Sequence, residues 1–132
     1  MLGRRFSLVS ALLLAIVLIA CRSGPPKIVN EPGVTRLNGD QARAHVSGNT
    51  EKWEQGTVYY NPDGKLEMVW RKINTNGTWK VLADGNVCMQ AKNWKRESCH
   101  YYVNNKDAIT MIEGVRNRGV VEIVEGKKLP PR

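Results

Sequence analysis

Two patterns of hydrophobic positions divide the chain. Residues 8–20 form an almost unbroken apolar run, whereas later segments are short and alternate with polar residues. In residues 65–73, for example, Leu66, Met68 and Trp70 alternate with mostly polar side chains. This two-residue period is typical of a strand with one buried face. The pattern therefore predicts a leader segment followed by a β domain.

Turn residues separate the predicted strands at close spacing. Asp-Gly and Asn-Gly pairs supply the positive φ angles that tight hairpins need. Turns are predicted at residues 61–64, 74–77, 83–85, 104–107 and 118–119. Strands joined by such short turns are neighbours in an antiparallel meander. We expect a mainly β fold of about eight strands, closed into a small barrel or folded into a barrel-like sandwich, because open edges invite aggregation.

One short helix is predicted before the strands. It spans residues 37–48, where Asn38 or Asp40 can cap its start and Gly48 can end it. The sequence thus divides into a leader, a Pro- and Gly-containing tether, a barrel-like domain and a polar tail expected to be disordered. These four parts are residues 1–20, 21–36, 37–126 and 127–132.

The leader ends at a cysteine. The run Leu18-Ile19-Ala20-Cys21 follows a basic start and an apolar stretch shorter than the roughly 20 residues of a membrane span. It resembles the lipobox of bacterial lipoproteins. The resemblance implies cleavage before Cys21 and acyl chains on its thiol and new amino group. An ordinary transmembrane anchor or an unlipidated signal peptide is the alternative. The resemblance also implies the outer rather than the inner membrane, because position 22 is Arg and not Asp, and it places the domain in the periplasm.

The net charge narrows the class of partner. The chain has 132 residues and a formal charge of +8, which suits one small domain beside anionic molecules. Lipopolysaccharide, phospholipid head groups and peptidoglycan are such partners, and the lipid anchor itself makes the membrane a partner. Nucleic acid is not expected, because export takes the protein away from the genome.

The remaining two cysteines are predicted to form a disulfide. Cys88 and Cys99 are an even pair in an oxidising compartment and fall in consecutive predicted strands. Two free thiols or half of a metal site are the alternatives. The sequence has no Cys-x-x-Cys motif and only two histidines, so a metal site is not expected.

Several short motifs in the strand region resemble those of small secreted bacterial β domains, which are mostly families of unknown function. The likeness covers residues 37–125 and implies a secreted β domain with an initial helix and a disulfide. It supplies no activity. The motifs are Ser47-Gly48-Asn49-Thr50, Tyr60 before Pro62-Asp63-Gly64, residues 77–81, residues 84–88 and a later Cys99.

No catalytic or cofactor motif stands out. His45 lies on the predicted helix and His100 in a strand, and both are expected to have structural roles. The sequence contains no nucleophile elbow, phosphate-binding loop or dinucleotide fingerprint. We therefore expect a protein that is not an enzyme and that holds no cofactor.

The segment between the two cysteines is the candidate contact with an anionic surface. Trp94 is flanked there by Lys92, Lys95 and Arg96, a combination that suits phosphate groups at a membrane interface. The alternative is a hairpin loop whose tryptophan folds back on the barrel. A second basic cluster at residues 116–118 is expected to be a solvated turn.

The sequence favours a noncatalytic envelope lipoprotein that serves as a binding or accessory module on the periplasmic side. A periplasmic inhibitor of a wall hydrolase, or of another enzyme, would act on a protein partner instead. The third hypothesis is a carrier of a small ligand, or an enzyme with an unrecognised site. An eight-stranded barrel can hold one small ligand, and a completely filled interior would contradict the carrier.

Overall fold

A computed structural model describes residues 27–106 and 108–131, so the predicted leader and Cys21 lie outside the described residues. These described residues form a short 3-10 helix, one α-helix and ten strands. In chain order these are the 3-10 helix Lys27–Asn30, β1 (Val34–Arg36), α1 (Gly39–Val46), β2 (Asn49–Trp53), β3 (Gly56–Tyr60), β4 (Lys65–Trp70), β5 (Ile73–Val81), β6 (Val87–Ala91), β7 (Ser98–Asn105), β8 (Ala108–Glu113), β9 (Arg116–Val120) and β10 (Glu122–Glu125). No helix in these two ranges is long and apolar enough to cross a membrane.

The strands from β2 to β10 form a nearly closed antiparallel barrel. Each strand from β2 to β8 pairs with the next along the chain. Only Val121 separates β9 from β10, so this final stretch pairs first with β8 and then with β2. Strand β1 lies off this path and pairs with β7. The predicted fold class, a small meander of about eight strands with one short helix, is confirmed.

The two ends of the barrel differ. The turns that follow β2, β4, β6 and β8 meet at one end, which we call the mouth; they are residues 54–55, 71–72, 92–97 and 114–115. The other end, which we call the capped end, is covered by α1. Backbone bonds hold the helix there, from Gly39 N–H to the Ala83 carbonyl at 3.3 Å and from Gly48 N–H to the Tyr60 carbonyl at 2.7 Å.

Helix α1 begins and ends close to the predicted residues. Asn38 is its N-cap, and Asn38 and Gln41 each accept the other's backbone N–H at 2.9 Å. This capping box satisfies two N–H groups that would otherwise lack partners. Ala42 and Val46 are buried against the barrel, and Gly48 has a φ of +75° just beyond the helix.

Two predicted turns are wrong. Residues 74–77 lie within β5, and the chain reverses earlier, at Arg71 and Lys72, whose φ angles are +46° and +68°. This is the left-handed conformation of a tight hairpin, here without the usual Asn or Gly. Gly77 serves a different purpose, because a Cβ there would lie 2.0 Å from the Gln90 carbonyl oxygen of β6. The glycine permits close approach of two strands.

The second wrong turn is at residues 118–119, which lie within β9. The chain reverses instead between β8 and β9, where Gly114 has a φ of +58°. The basic residues of this region therefore belong to a strand rather than to a solvated turn, and that strand borders the mouth.

The end of the chain follows the barrel surface. The Thr50 hydroxyl donates to the Gly126 carbonyl at 2.6 Å and accepts the Lys128 N–H at 2.9 Å. Lys127 forms an ion pair with Glu67 on β4. The segment expected to be a disordered tail thus has contacts with β2 and β4 at its start.

Cys88 and Cys99 are directly opposite each other on β6 and β7, with their sulfur atoms at disulfide-bonding distance. Their Cα atoms are 4.0 Å apart. Replacing both residues with alanine removes a crosslink that spans 11 residues. In the chain-entropy model we expect the free energy of unfolding to fall by about 3 kcal/mol, measured by urea denaturation.

The reductant dithiothreitol supplies the control for this disulfide prediction. It should lower the melting temperature of the wild type and leave that of the double variant unchanged. Equal stability of the two proteins without reductant would contradict the prediction.

Candidate functional site

A cavity of about 630 Å³ opens at the mouth of the barrel. This volume lies within the range of about 300–1,000 Å³ that is usual for small-molecule sites. The side chains that line its apolar part are Trp53, Trp70, Met89, Trp94, Met111 and Val121. The barrel is therefore filled only toward its capped end.

Strand alternation explains why aromatic side chains meet at the mouth. Trp70 follows Leu66 and Met68 on the inward face of β4, and Trp53 occupies the last position of β2. Their rings pack edge to face with centroids 5.8 Å apart. Trp53 makes a similar contact with His100 of β7 at 6.3 Å. Such edge-to-face pairs give the wall of the cavity a defined geometry.

The predicted basic segment, residues 92–96, lies on the rim of the mouth. Its four candidate side chains do not all face the cavity. The Trp94 N–H donates to the Ala91 carbonyl at 3.0 Å, and the Gln90 amide donates to the Trp94 carbonyl at 2.8 Å. The Trp94 ring is partly buried against the core, as in the alternative of a tryptophan folded back on the barrel. Arg96 lines the cavity, whereas Lys92 and Lys95 are exposed beside it.

The charges on the rim are only partly neutralised. Arg118 forms an ion pair with Glu113, which also accepts a bond from the Ser98 hydroxyl at 3.2 Å. Burial would raise the pKa of Glu113, but the Arg118 guanidinium and the Ser98 hydroxyl outweigh it and lower that pKa. Across residues 27–106 and 108–131, Arg96 and Arg116 form no ion pair.

A buried carboxyl group lies beneath the floor of the cavity. Glu51 on β2 is 0% exposed and accepts three hydrogen bonds. Trp53 Nε1–H and the Tyr60 hydroxyl donate to Oε1, and the Tyr102 hydroxyl donates to Oε2. His100 Nε2 lies 2.9 Å from the Tyr102 oxygen. Because the Tyr102 hydroxyl donates its proton to Glu51, the Tyr102 oxygen must accept the hydrogen bond from His100. His100 is then neutral and carries its proton on Nε2.

Burial shifts the pKa values of this cluster. It raises the pKa of Glu51 to about 7, although the bonds from Tyr102, Trp53 and Tyr60 lower it. It also lowers the pKa of His100 to about 4, with nearby Glu113 opposing the shift. The histidine is therefore neutral near pH 7.

His45 extends the cluster toward the capped end. Its ring packs edge-on against Tyr102, with centroids 4.7 Å apart, and burial lowers its pKa. Its Nε2 atom is buried without a hydrogen-bond partner in the part of the chain that the structure describes. Both histidines thus face the interior and contact Tyr102.

Two polar groups near the cavity are closed to a bound molecule or ion. Glu51 is sealed from the cavity and does not line it, so its carboxyl cannot reach a bound molecule. Cys88, Glu97 and Cys99 are close enough together to suggest a metal site. The two sulfur atoms are joined in the disulfide, however, and so offer no thiolate ligand.

A second cavity, of about 570 Å³, lies on the outside of the barrel between β4, β5 and residues 127–131. None of its lining residues is aromatic, and its one cation, Lys127, is paired with Glu67. The mouth, with three tryptophans and unpaired arginines, is the better candidate.

Sequence reasoning identified one segment of the mouth and missed the rest. It singled out Trp94 and Arg96 from their local composition. It did not identify Glu51, Trp53 or Arg71, which come from other strands and turns. The alternation of Glu51 with Trp53 at positions i and i+2 is the signal that puts both on the inward face of β2.

The fold and the cavity define a small antiparallel β-barrel that is closed by a helix at one end and open at the other. The chain belongs to the DUF995 family, described as a protein of unknown function, whose family model matches residues 13–119. No curated protein and no solved structure shows a significant match to this chain.

The buried carboxyl predicts an unusual pH dependence of stability. Glu51 binds its proton more tightly in the folded protein, so its contribution to stability is complete below pH 4.5 and is lost as the pH rises to about 7. His100 acts in the opposite direction, because its contribution is lost as the pH falls from 6.5 to about 4. The two effects partly cancel in the wild type.

Replacing Glu51 with Gln removes one of these titrations. Between pH 4.5 and 7, the stability of the wild type relative to Glu51→Gln should fall by up to about 3 kcal/mol, measured by urea denaturation at several pH values. Glu125→Gln, which removes an exposed carboxyl at the end of β10, is the matched control. A difference between wild type and Glu51→Gln that stays constant with pH would show that Glu51 has an ordinary pKa.

Proposed function

We propose that this protein is a noncatalytic lipoprotein of the cell envelope, anchored by acyl chains on Cys21, whose barrel is a binding module in the periplasm. The cavity at the mouth is the observation that carries the proposal. It combines an apolar wall with two arginines, Arg96 and Arg116, that form no ion pair among the described residues. The lipobox-like run at residues 18–21 supports the anchor.

The direction from which the chain enters the barrel suits such an anchor. In β1, Val34 pairs with Asn105 at the end of β7 that leads into the β7–β8 turn, which lies at the capped end. A tether joined there leaves the mouth free.

The arrangement of polar groups around the cavity supports a noncatalytic role. Ser98 donates its hydroxyl to Glu113, and His100 is engaged with Tyr102. A nucleophile within reach of a base, which covalent catalysis needs, is not among these contacts.

The anchor is tested by replacing Cys21 with Ser in the full chain. We expect the wild type to incorporate labelled palmitate and to sediment with outer membranes in a density gradient. The variant should lose the label, because its hydroxyl cannot accept the diacylglyceryl group. Cys99→Ser, which leaves the lipobox-like run intact, is the control and should keep the label. Labelling of Cys21→Ser equal to the wild type would contradict the anchor.

Binding to the envelope is tested by co-sedimentation of the unacylated mature chain with lipopolysaccharide vesicles and with peptidoglycan sacculi. Every strand of the barrel lies between residues 49 and 125, so a chain starting at residue 21 contains it whole. Changing Lys92, Lys95 and Arg96 to Gln should weaken binding severalfold at low salt. Exposed charges attract an anionic surface most strongly there, because salt at 0.1 M limits their reach to about 10 Å.

The control for this experiment changes Lys65 and Lys106 to Gln. These exposed residues lie at the start of β4 and in the β7–β8 turn, both at the capped end, so this variant should bind like the wild type. Equal losses in both variants would indicate nonspecific attraction to net charge, and absence of sedimentation with either material would contradict an envelope-binding module.

A further inference from the structure

We propose that the mouth of the barrel binds a small anionic amphiphile, with its apolar part against Trp53, Trp70 and Trp94 and its acidic head group at Arg96 and Arg116. This inference rests on the proposed function, because it names the class of ligand that the binding module takes.

The wall supplies a place for an apolar group. Three tryptophans and two methionines from four strands and one loop surround the cavity, and Met89 and Met111 lie at its inner side. Met side chains adapt to irregular apolar shapes, whereas tryptophan rings hold a fixed outline. An alkyl chain or a flat hydrophobic ring would cover this surface and remove it from water.

The rim supplies a place for an anion. Of the acidic side chains that line the cavity, Glu113 is paired with Arg118, and Glu97 is paired with Lys80 at 3.3 Å. Glu54 is the remaining acid. Arg71 donates to the neutral Gln55 amide at 2.7 Å, so its charge is not cancelled.

Three arginines at the rim therefore face one carboxylate. Arg71, Arg96 and Arg116 belong to the β4–β5 turn, the β6–β7 loop and β9 respectively, and all three line the cavity. A guanidinium group forms paired bonds to carboxylate and phosphate oxygens, which makes either head group a good match. Charge complementarity thus favours an anion over a neutral or cationic ligand.

The floor fixes the direction in which such a ligand enters. His100 is neutral near pH 7, and its Nε2–H already donates to Tyr102. Glu51 lies behind Trp53 and Tyr102 without exposure to the cavity. A charged head group would find no opposite charge at the floor, so the apolar end lies inward and the head group stays at the rim.

Tryptophan fluorescence measures this binding directly, because three of the four tryptophans line the cavity and Trp79 lies in the core. The protein is the mature chain with Cys21→Ser, checked for cooperative unfolding by circular dichroism. The probes are a brominated fatty acid, dodecanoate, dodecyl phosphate, neutral dodecyl maltoside and inorganic phosphate, each below its micelle concentration where it forms micelles. Saturable quenching by the brominated fatty acid is the expected result.

Competition with the other probes identifies the chemistry. Dodecanoate or dodecyl phosphate should displace the quencher at least about tenfold more strongly than dodecyl maltoside, and inorganic phosphate alone should not displace it. Comparison of the carboxylate with the phosphate ester shows whether a fatty acid or a lysophospholipid is the better match. Equal displacement by the neutral detergent would overturn the proposal.

Variants locate the head group. Arg96→Gln and Arg116→Gln should each weaken anionic binding about tenfold and leave binding of dodecyl maltoside unchanged. The double variant Lys65→Gln/Lys106→Gln at the capped end should bind like the wild type. Unchanged anionic affinity in both arginine variants would overturn the placement at the rim.

Failure of amphiphile binding can be distinguished from failure of the proposed function. Quenching reports occupation of the cavity, whereas co-sedimentation and palmitate labelling report contact with the envelope and the anchor. Absence of quenching together with specific sedimentation would overturn the amphiphile and leave the envelope-binding module standing.

Discussion

The carboxyl group of Glu51 is the constraint on which the interior of the barrel depends. A carboxyl in an apolar interior is costly unless hydrogen-bond donors surround it. The donors come from Trp53 on its own strand, Tyr60 on β3 and Tyr102 on β7. Strands β2 and β3 are neighbours, but β7 is reached only around the barrel, so this cluster fixes the distance across the interior. It also determines how deep the cavity is, because the ring of Trp53 separates the carboxyl from the mouth.

The division between a filled capped end and an open mouth follows from the helix and the turns. Helix α1 places Ala42 and Val46 against one end of the barrel. Gly39 allows the start of the helix to approach the β5–β6 turn closely, and the positive φ of Gly48 turns the chain so that its N–H bonds to the Tyr60 carbonyl. The turns at the opposite end are short or basic and contain no segment long enough to cover the barrel. The tryptophan side chains there consequently remain accessible to a ligand, which gives the mouth its mixed apolar and cationic character.

The sequence predicted those features that depend on local chemistry. Strand alternation, the Asn38 cap and the pairing of Cys88 with Cys99 in neighbouring strands could be predicted from residue type and spacing. The hairpin at Arg71 and Lys72 could not, because neither residue is typical of positive φ angles, whereas Gly77 suggested a turn where it serves close strand packing. The site was predicted only in its β6–β7 segment. Arg116 lines the same cavity as Arg96 because β8 pairs with both β7 and β9, which local composition does not encode.

The hydrogen-bonded chain from His100 through Tyr102 to Glu51 joins the floor of the cavity to the interior. Each hydroxyl or N–H in it has an acceptor, so this hydrogen-bonded chain offers a ligand no free donor. An anionic group pressed against the floor would have to break one of these bonds to find a donor and would leave a buried partner unsatisfied, which costs about 1–3 kcal/mol. An apolar group avoids that cost and gains the contact with the tryptophan rings. The cluster that stabilises the barrel thus also favours ligands whose polar end remains at the rim, where the arginines are.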